Sequence, residues 1–164
     1  MQVARATAGL ATGTLPEVRL VHSIGGVEQP QRSRPLGISA STLEFVRGAL
    51  EGVVHDGKGT AHISGLSADR LHFSFACKTG SADVSPFVDT DELTEADRAD
   101  MKAGKWRKHT WVAGWFPAEK PRAILVVYLH DVSETATRTS VYVAAQFLQQ
   151  EAVLRFAGAE DPKR

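Results

Sequence analysis

The sequence predicts an α+β fold in which an antiparallel sheet carries a C-terminal helix on one face. Three strand-length runs rich in β-branched and aromatic residues indicate that sheet, and they lie at residues 71–77, 109–116 and 123–129. Apolar residues with helical spacing indicate helices at residues 39–54 and 137–156. A short polar link between the last two strand-like runs, with Pro117 and Pro121, favours a hairpin.

The region before the long helices predicts one short helix and two irregular segments. Residues 1–11 are rich in helix formers, and Gly13 is placed to end that helix. Residues 17–24 read as a short extended segment, which ends at a pair of glycines. Residues 29–35 are polar and bracketed by prolines, so we expect a surface loop there.

Residues 39–54 give the clearest helix in the sequence. Either Ser39 or Ser41 can cap it, and Ser41 with Glu44 has the spacing of a capping box. One apolar stripe repeats at three and four residues, and it contains Leu43, Val46, Leu50, Val53 and Val54. The Asp56-Gly57 pair is placed to end the helix.

Residues 88–108 form an insertion between the first two strands of the predicted sheet. Its acidic residues come first and its basic residues follow, an order that suits the dipole of a helix. A solvated helical excursion and a lid over a groove are both compatible with this pattern. In the C-terminal helix, one apolar face is predicted to hold Val141, Ala144, Ala145, Leu148, Ala152 and Phe156. Residues 158–164 are predicted to form a polar tail.

A tetrapeptide, Lys78-Thr79-Gly80-Ser81, closes the first strand-like run. The second run has the pattern H-x-W-x-x-G-x-x-P from His109 to Pro117, and a β-branched run follows it. Together with Gly59-Thr60-Ala61 and the helix at residues 1–11, this order resembles the C-terminal part of a penicillin-binding protein transpeptidase domain. The resemblance covers nearly the whole chain, and it implies the fold shared with serine β-lactamases.

The resemblance implies a serine D,D-transpeptidase, which cross-links peptidoglycan stem peptides by acyl transfer and is acylated by β-lactams. Lys78 is the expected catalytic residue, since its ammonium would set a positive potential and bind a carboxylate. Thr79, Gly80 and Ser81 are the expected substrate-binding residues. The hydroxyls of Thr79 and Ser81 would donate to that carboxylate, and Gly80 would admit the acyl group. The backbone N–H of Ser81 would be one of two oxyanion-hole donors.

The sequence departs from this family at the other motifs. No serine is followed by a lysine three positions later, and there is no asparagine to complete an S-x-N motif. We therefore expect residues 1–157 to be the C-terminal portion of a transpeptidase domain that is inactive alone. Three interpretations stay open: a fragment of a longer transpeptidase, one half of a split enzyme, or a non-catalytic binding module.

Composition excludes some other classes of function. The 164 residues contain 19 basic and 19 acidic side chains, which argues against a general nucleic-acid binder. The six histidines lack ligand spacing, so we expect neither a metal nor a cofactor. No membrane-length apolar run or signal peptide is present, although the resemblance implies the extracytoplasmic face of the cell membrane. The single cysteine, Cys77, is expected to face the packed side of the sheet, opposite a groove lined by Lys78, Thr79 and Ser81.

Overall fold

A computed structural model describes residues 1–84, 94–103, 107–133 and 138–159. Its helices are α1 (Gln2–Thr12), α2 (Ala40–His55), α3 (Thr60–Ile63), α4 (Glu95–Lys102), α5 (Ser140–Leu148) and α6 (Glu151–Ala157). Its strands are β1 (Thr14–Pro16), β2 (Ser23–Ile24), β3 (Val27–Glu28), β4 (Ser33–Pro35), β5 (Ala76–Asp83), β6 (Arg107–Phe116) and β7 (Ala123–Ser133). None of the helices described is long and apolar enough to span a lipid bilayer.

The N-terminal helix is confirmed, and Gly13 ends it with a left-handed φ of 78°. The extended segment and the loop predicted after it are partly wrong. β1 begins directly after Gly13 and pairs with β4, which lies inside the predicted loop at residues 29–35. β2 and β3 form a separate hairpin around Gly25-Gly26, both with positive φ. The pairing of β1 with β4 joins residues about 20 positions apart at its outer end, so local patterns do not reveal it.

Helix α2 agrees closely with its prediction. Ser39 is the N-cap, and its hydroxyl accepts a hydrogen bond of 3.2 Å from the backbone N–H of Thr42. The alternative capping box at Ser41 and Glu44 is wrong, because Ser41 already lies inside the helix. The predicted apolar stripe is the inward face, with Leu43 and Val54 buried.

The main sheet is antiparallel, and among the described residues its strand order is β5–β6–β7. The predicted start of the first strand is wrong, because residues 71–75 are irregular and the strand runs through the K-T-G-S segment. That segment pairs with β6, so Lys78 lies opposite Ala113 and Ser81 lies opposite Thr110. The hairpin between β6 and β7 is confirmed.

Hydrophobic clusters cover both faces of this sheet. Cys77 and Val112 are fully buried on one face, where they pack with α2, α5 and α6. On the opposite face Trp115 is 1% exposed and packs with Ala76 and with Ala11 of α1. The predicted C-terminal helix on one face of the sheet is therefore confirmed in position.

That C-terminal helix is divided into α5 and α6, contrary to the single helix predicted for residues 137–156. Gln150 has an extended backbone with ψ 137° and is the N-cap of α6. The turn keeps α6 on the core, where Ala157 is buried. It also rotates Phe156 outward to 46% exposure, so the predicted apolar face is wrong beyond Leu148.

Candidate active site

The K-T-G-S segment lies on a free edge of the main sheet, among the strands described. The backbone N–H of Val84 donates to the carbonyl of Arg107 at 2.9 Å, continuing the β5–β6 register by one residue. Hydrogen-bonded and non-hydrogen-bonded pairs alternate in an antiparallel ladder. Lys78 and Gly80 therefore direct their backbone groups to β6. Thr79 and Ser81 direct their N–H and C=O groups outward, away from the sheet.

The Lys78 side chain folds over this edge. Its Nζ donates to the carbonyl oxygen of Thr79 at 2.5 Å, and the residue is exposed. Because side chains alternate along a strand, the Lys78 side chain leaves the sheet on the face opposite the side chains of Thr79 and Ser81. The expectation that all three side chains share one face is therefore wrong. The four-carbon stem of Lys78 nevertheless carries its charge to the edge where the outward backbone groups of Thr79 lie.

The Thr79 hydroxyl is held by a residue from another element. Its Oγ1 lies 2.7 Å from Oγ1 of Thr60, the first residue of α3. Gly59 allows α3 to sit there, since a Cβ at this position would lie 2.3 Å from the carbonyl oxygen of Val53. The Gly59-Thr60-Ala61 tripeptide thus places a hydroxyl beside the K-T-G-S strand, a role that its sequence alone did not suggest.

A cleft of about 270 Å³ adjoins the strand. Most of its lining side chains carry hydroxyl groups, and the full lining is Thr60, Ile63, Ser64, Thr79, Gly80, Ser81, Thr110, Trp111, Thr139, Ser140 and Val141. The backbone N–H of Ser140, at the start of α5, donates to Oγ1 of Thr110 at 3.2 Å. Uncharged hydroxyl donors suit an anionic or strongly polar ligand group. Only Thr79, Gly80 and Ser81 of this lining were expected from the sequence.

Cys77 and Gly80 differ in the space around their side-chain positions. Cys77 is fully buried, as expected, although it shares a side-chain face with Thr79 and Ser81. Burial raises the pKa of its thiol to about 12, which suppresses the thiolate. A Cβ at Gly80 would lie 3.6 Å from Cβ of Trp111, an ordinary contact.

Histidine and tryptophan side chains on β6 have structural contacts. His109 Nδ1 accepts a hydrogen bond of 3.2 Å from the backbone N–H of Asp131, which agrees with the structural role expected for it. The Trp111 ring lies 4.0 Å from the Tyr128 ring, centroid to centroid. Within the described residues, no group of three or more His, Cys, Asp or Glu side chains could hold a metal ion.

The predicted insertion at residues 88–108 is described only in part. Helix α4 lies within it and ends at Lys102. Much of its expected acidic beginning, and residues 104–106, lie outside the described residues. The choice between a solvated helix and a lid therefore stays a prediction. Most of the tail expected at residues 158–164 also lies outside the described residues.

A sequence profile of one protein family matches most of the chain. The profile is described as "Penicillin binding protein transpeptidase domain", and it matches residues 1–150. No curated protein sequence matches the chain.

Solved structures share the fold of this chain. PBP2 of Pseudomonas aeruginosa in complex with WCK 5153 is 22% identical, with a TM-score of 0.61 over 92% of this chain and 30% of that one. Penicillin-binding protein 2B of Streptococcus pneumoniae strain R6 is 20% identical, with a TM-score of 0.64 over 93% and 24% of the two chains. The apo TP domain of penicillin-binding protein 3 from Burkholderia pseudomallei is 21% identical, with a TM-score of 0.62 over 99% and 44%. The chain thus spans less than half the length of each of these structures.

Proposed function

Because the chain belongs to the penicillin binding protein transpeptidase domain family, we propose that it supplies the substrate-binding strand of a serine D,D-transpeptidase. The free edge of β5, with Lys78 Nζ folded over it, is the observation that carries this proposal. The substrate class is a peptidoglycan stem peptide, and β-lactams bind in its place. We propose that the enzyme acts on the extracytoplasmic face of the membrane, where this polymer lies.

An extended peptide can add to β5 as a further strand. The outward N–H and C=O groups of Thr79 and Ser81 offer it backbone hydrogen bonds. Its carboxylate would accept from the Thr79 hydroxyl and displace Lys78 Nζ from the Thr79 carbonyl. Those two groups lie on one short stretch of the edge, so a single ligand group can reach both.

The acyl carbonyl of such a peptide would lie beside the outward N–H of Ser81. This N–H would stabilise the oxyanion that develops when a serine attacks the carbonyl. A second donor and the attacking serine have to come from outside these 164 residues, since the sequence has no S-x-x-K motif. We therefore propose that the chain has no transpeptidase activity and is not acylated when it is alone.

The test is covalent labelling by a fluorescent penicillin. The purified chain alone is expected to give no labelled band on a denaturing gel. In cells that express it, biotinylated penicillin is expected to capture peptides of this chain together with an acylated serine outside residues 1–164. A stoichiometric label on one of its own serines would overturn the absence of a nucleophile. Failure to recover the chain under native capture would favour the non-catalytic binding module.

A matched pair of variants tests the site in the completed enzyme. Thr79→Val removes the hydroxyl that is proposed to bind the carboxylate, and the acylation rate is expected to fall by about tenfold to a hundredfold. Thr42→Val makes the same change at an exposed position in the first turn of α2, outside the cleft lining. It keeps the backbone N–H that Ser39 caps and is expected to leave labelling unchanged. Equal labelling of the two variants would contradict the role of Thr79.

A further inference from the structure

A β-bulge interrupts the pairing of β6 with β7. On β7 two residues, His130 and Asp131, lie opposite the single residue His109 of β6. An extra residue on one strand disrupts the ladder of backbone hydrogen bonds at that point. The backbone groups at the bulge therefore need other partners.

Asp131 has an unusual backbone conformation in this bulge. Its φ is 54°, and among the described residues it is the one residue other than glycine with a positive φ. This left-handed region is costly for residues that carry a Cβ, although aspartate adopts it more often than most of them. The surrounding contacts therefore have to hold Asp131 in this conformation.

Two side chains of β6 supply these contacts. Nδ1 of His109 accepts a hydrogen bond of 3.2 Å from the backbone N–H of Asp131. Arg107 donates from Nε to the Asp131 carboxylate at 2.6 Å and from Nη2 to the Asp131 carbonyl oxygen at 2.9 Å. The His109 contact is the one that depends on protonation, because an imidazolium carries a proton on both ring nitrogens and has no acceptor left. Arginine keeps its charge at any ordinary pH.

The other described groups around His109 do not replace this acceptor. The His130 ring lies 4.6 Å from the His109 ring, centroid to centroid, and the Tyr128 ring lies 5.8 Å away. On β5 the opposite residue is Ala82, which has no charge. The neighbouring charged pair of β5 and β6 is directed to the other face of the sheet by alternation, and it consists of Asp83 and Lys108.

The carboxylate nearest to His109 in this group is that of Asp131, which already accepts from Arg107. An imidazolium that turned towards this carboxylate would still leave the backbone N–H of Asp131 without its acceptor. Protonation of His109 therefore removes the bond to the bulge in either arrangement.

We propose that the hydrogen bond between His109 and Asp131 is a pH-sensitive switch of the β-bulge. While His109 is neutral, its Nδ1 accepts the backbone N–H of Asp131 and the bulge is closed. When His109 is protonated at Nδ1, two N–H groups face each other and the bond is lost. Histidine is the side chain whose charge ordinarily changes between about pH 5 and 8, so mild acid is the signal that this switch detects.

The bulge lies between the cleft and the start of β6. Thr110, the residue after His109, lines the cleft and accepts a hydrogen bond from the backbone N–H of Ser140. On the other side of His109, β6 begins at Arg107, after helix α4. Opening of the bulge is therefore expected to loosen the first residues of β6 and the last residues of β7. This regulation goes beyond the proposed function and does not depend on it.

Hydrogen–deuterium exchange of the full chain, measured by mass spectrometry at about pH 7.5 and about pH 5.5, tests the switch. Labelling times are scaled to the intrinsic exchange rate at each pH. Peptides that cover residues 128–133 are expected to lose about tenfold in protection at the lower pH, the effect of losing about one hydrogen bond. Peptides from residues 43–54 of α2 are expected to keep their protection. Equal protection of residues 128–133 at both pH values, or an equal loss in both segments, would overturn the proposal.

Three histidine variants assign the effect to one side chain. His109→Asn cannot titrate but keeps an acceptor, because the side-chain carbonyl oxygen of asparagine can take the place of Nδ1. It is expected to give residues 128–133 the same protection at both pH values. His130→Asn and His72→Asn, both at exposed positions, are the controls and are expected to retain the loss at the lower pH.

A pH dependence that survives His109→Asn, or that His130→Asn abolishes, would overturn the proposal. Circular dichroism at the higher pH checks the fold of each variant. His109→Gln carries the same carbonyl acceptor and replaces His109→Asn where that variant does not fold.

Discussion

Replacing Gly114 by alanine is expected to destabilise the sheet that carries the K-T-G-S strand. A Cβ at this position would lie 2.3 Å from the carbonyl oxygen of Ala76, 2.6 Å from Cβ of Cys77 and 2.7 Å from Cζ of Phe75. Non-bonded carbon atoms pack at about 3.5–4.0 Å. The strands therefore have to separate or the Phe75 ring has to leave the core. Overpacking typically costs about 1–3 kcal/mol, and the contact with backbone places this variant near the upper value.

Thermal unfolding, followed by circular dichroism, measures this effect. For a chain of this size, about 1 kcal/mol shifts the Tm by roughly 2–4 °C, so Gly114→Ala is expected to lower it by about 6–12 °C. Gly48→Ala is the matched control, because no heavy atom lies within 4 Å of a Cβ at this position of α2. That variant is expected to gain up to about 1 kcal/mol from helix propensity. A Tm for Gly114→Ala equal to the wild-type value, with the control behaving as expected, would refute the reasoning.

Two further predictions concern a buried thiol and an uncovered strand. The pKa of Cys77 is raised to about 12, so its native thiol is expected to react with a disulfide reagent at pH 8 at least about a hundredfold more slowly than in urea. Above about pH 9 the Cys77 thiol loses its proton in the unfolded chain but keeps it in the folded chain. The free energy of unfolding is therefore expected to fall as the pH rises, and to fall less in the Cys77→Ala variant. Strand β7 pairs only with β6 among the described strands, so its other edge is free to pair with a second molecule. The sedimentation coefficient is therefore expected to rise with protein concentration, and Val126→Lys is expected to reduce that rise. Rapid native labelling, or a wild-type chain that stays monomeric at micromolar concentration, would contradict these expectations.

Local sequence patterns were sufficient to predict the elements that are determined by residues close together in the sequence. Helix α2 has a capping serine, an apolar stripe and a stop signal within one stretch, and all three act within it. The β6–β7 hairpin joins strands that are neighbours in sequence, so its pairing also followed from a local signal.

Elements that depend on distant partners could not be predicted in this way. Strand β5 begins at Ala76 because its partner is β6, from which the insertion separates it in sequence. The break between α5 and α6 lies at Gln149 and Gln150, although the apolar residues keep a helical spacing across it. Thr60 lies in the candidate site because α3 places its hydroxyl beside that of Thr79. The short Gly-Thr-Ala sequence does not predict this contact.

The position of Lys78 has a consequence for how the free β5 edge avoids wrong partners. While its ammonium covers the Thr79 carbonyl, a strand from another molecule has to displace a charge to pair there. A strand without a carboxylate cannot compensate that displacement. The charge of Lys78 is therefore expected to discourage aggregation at this edge. The apolar stretch Ile124–Leu129 on β7 has no lysine to protect it in the same way.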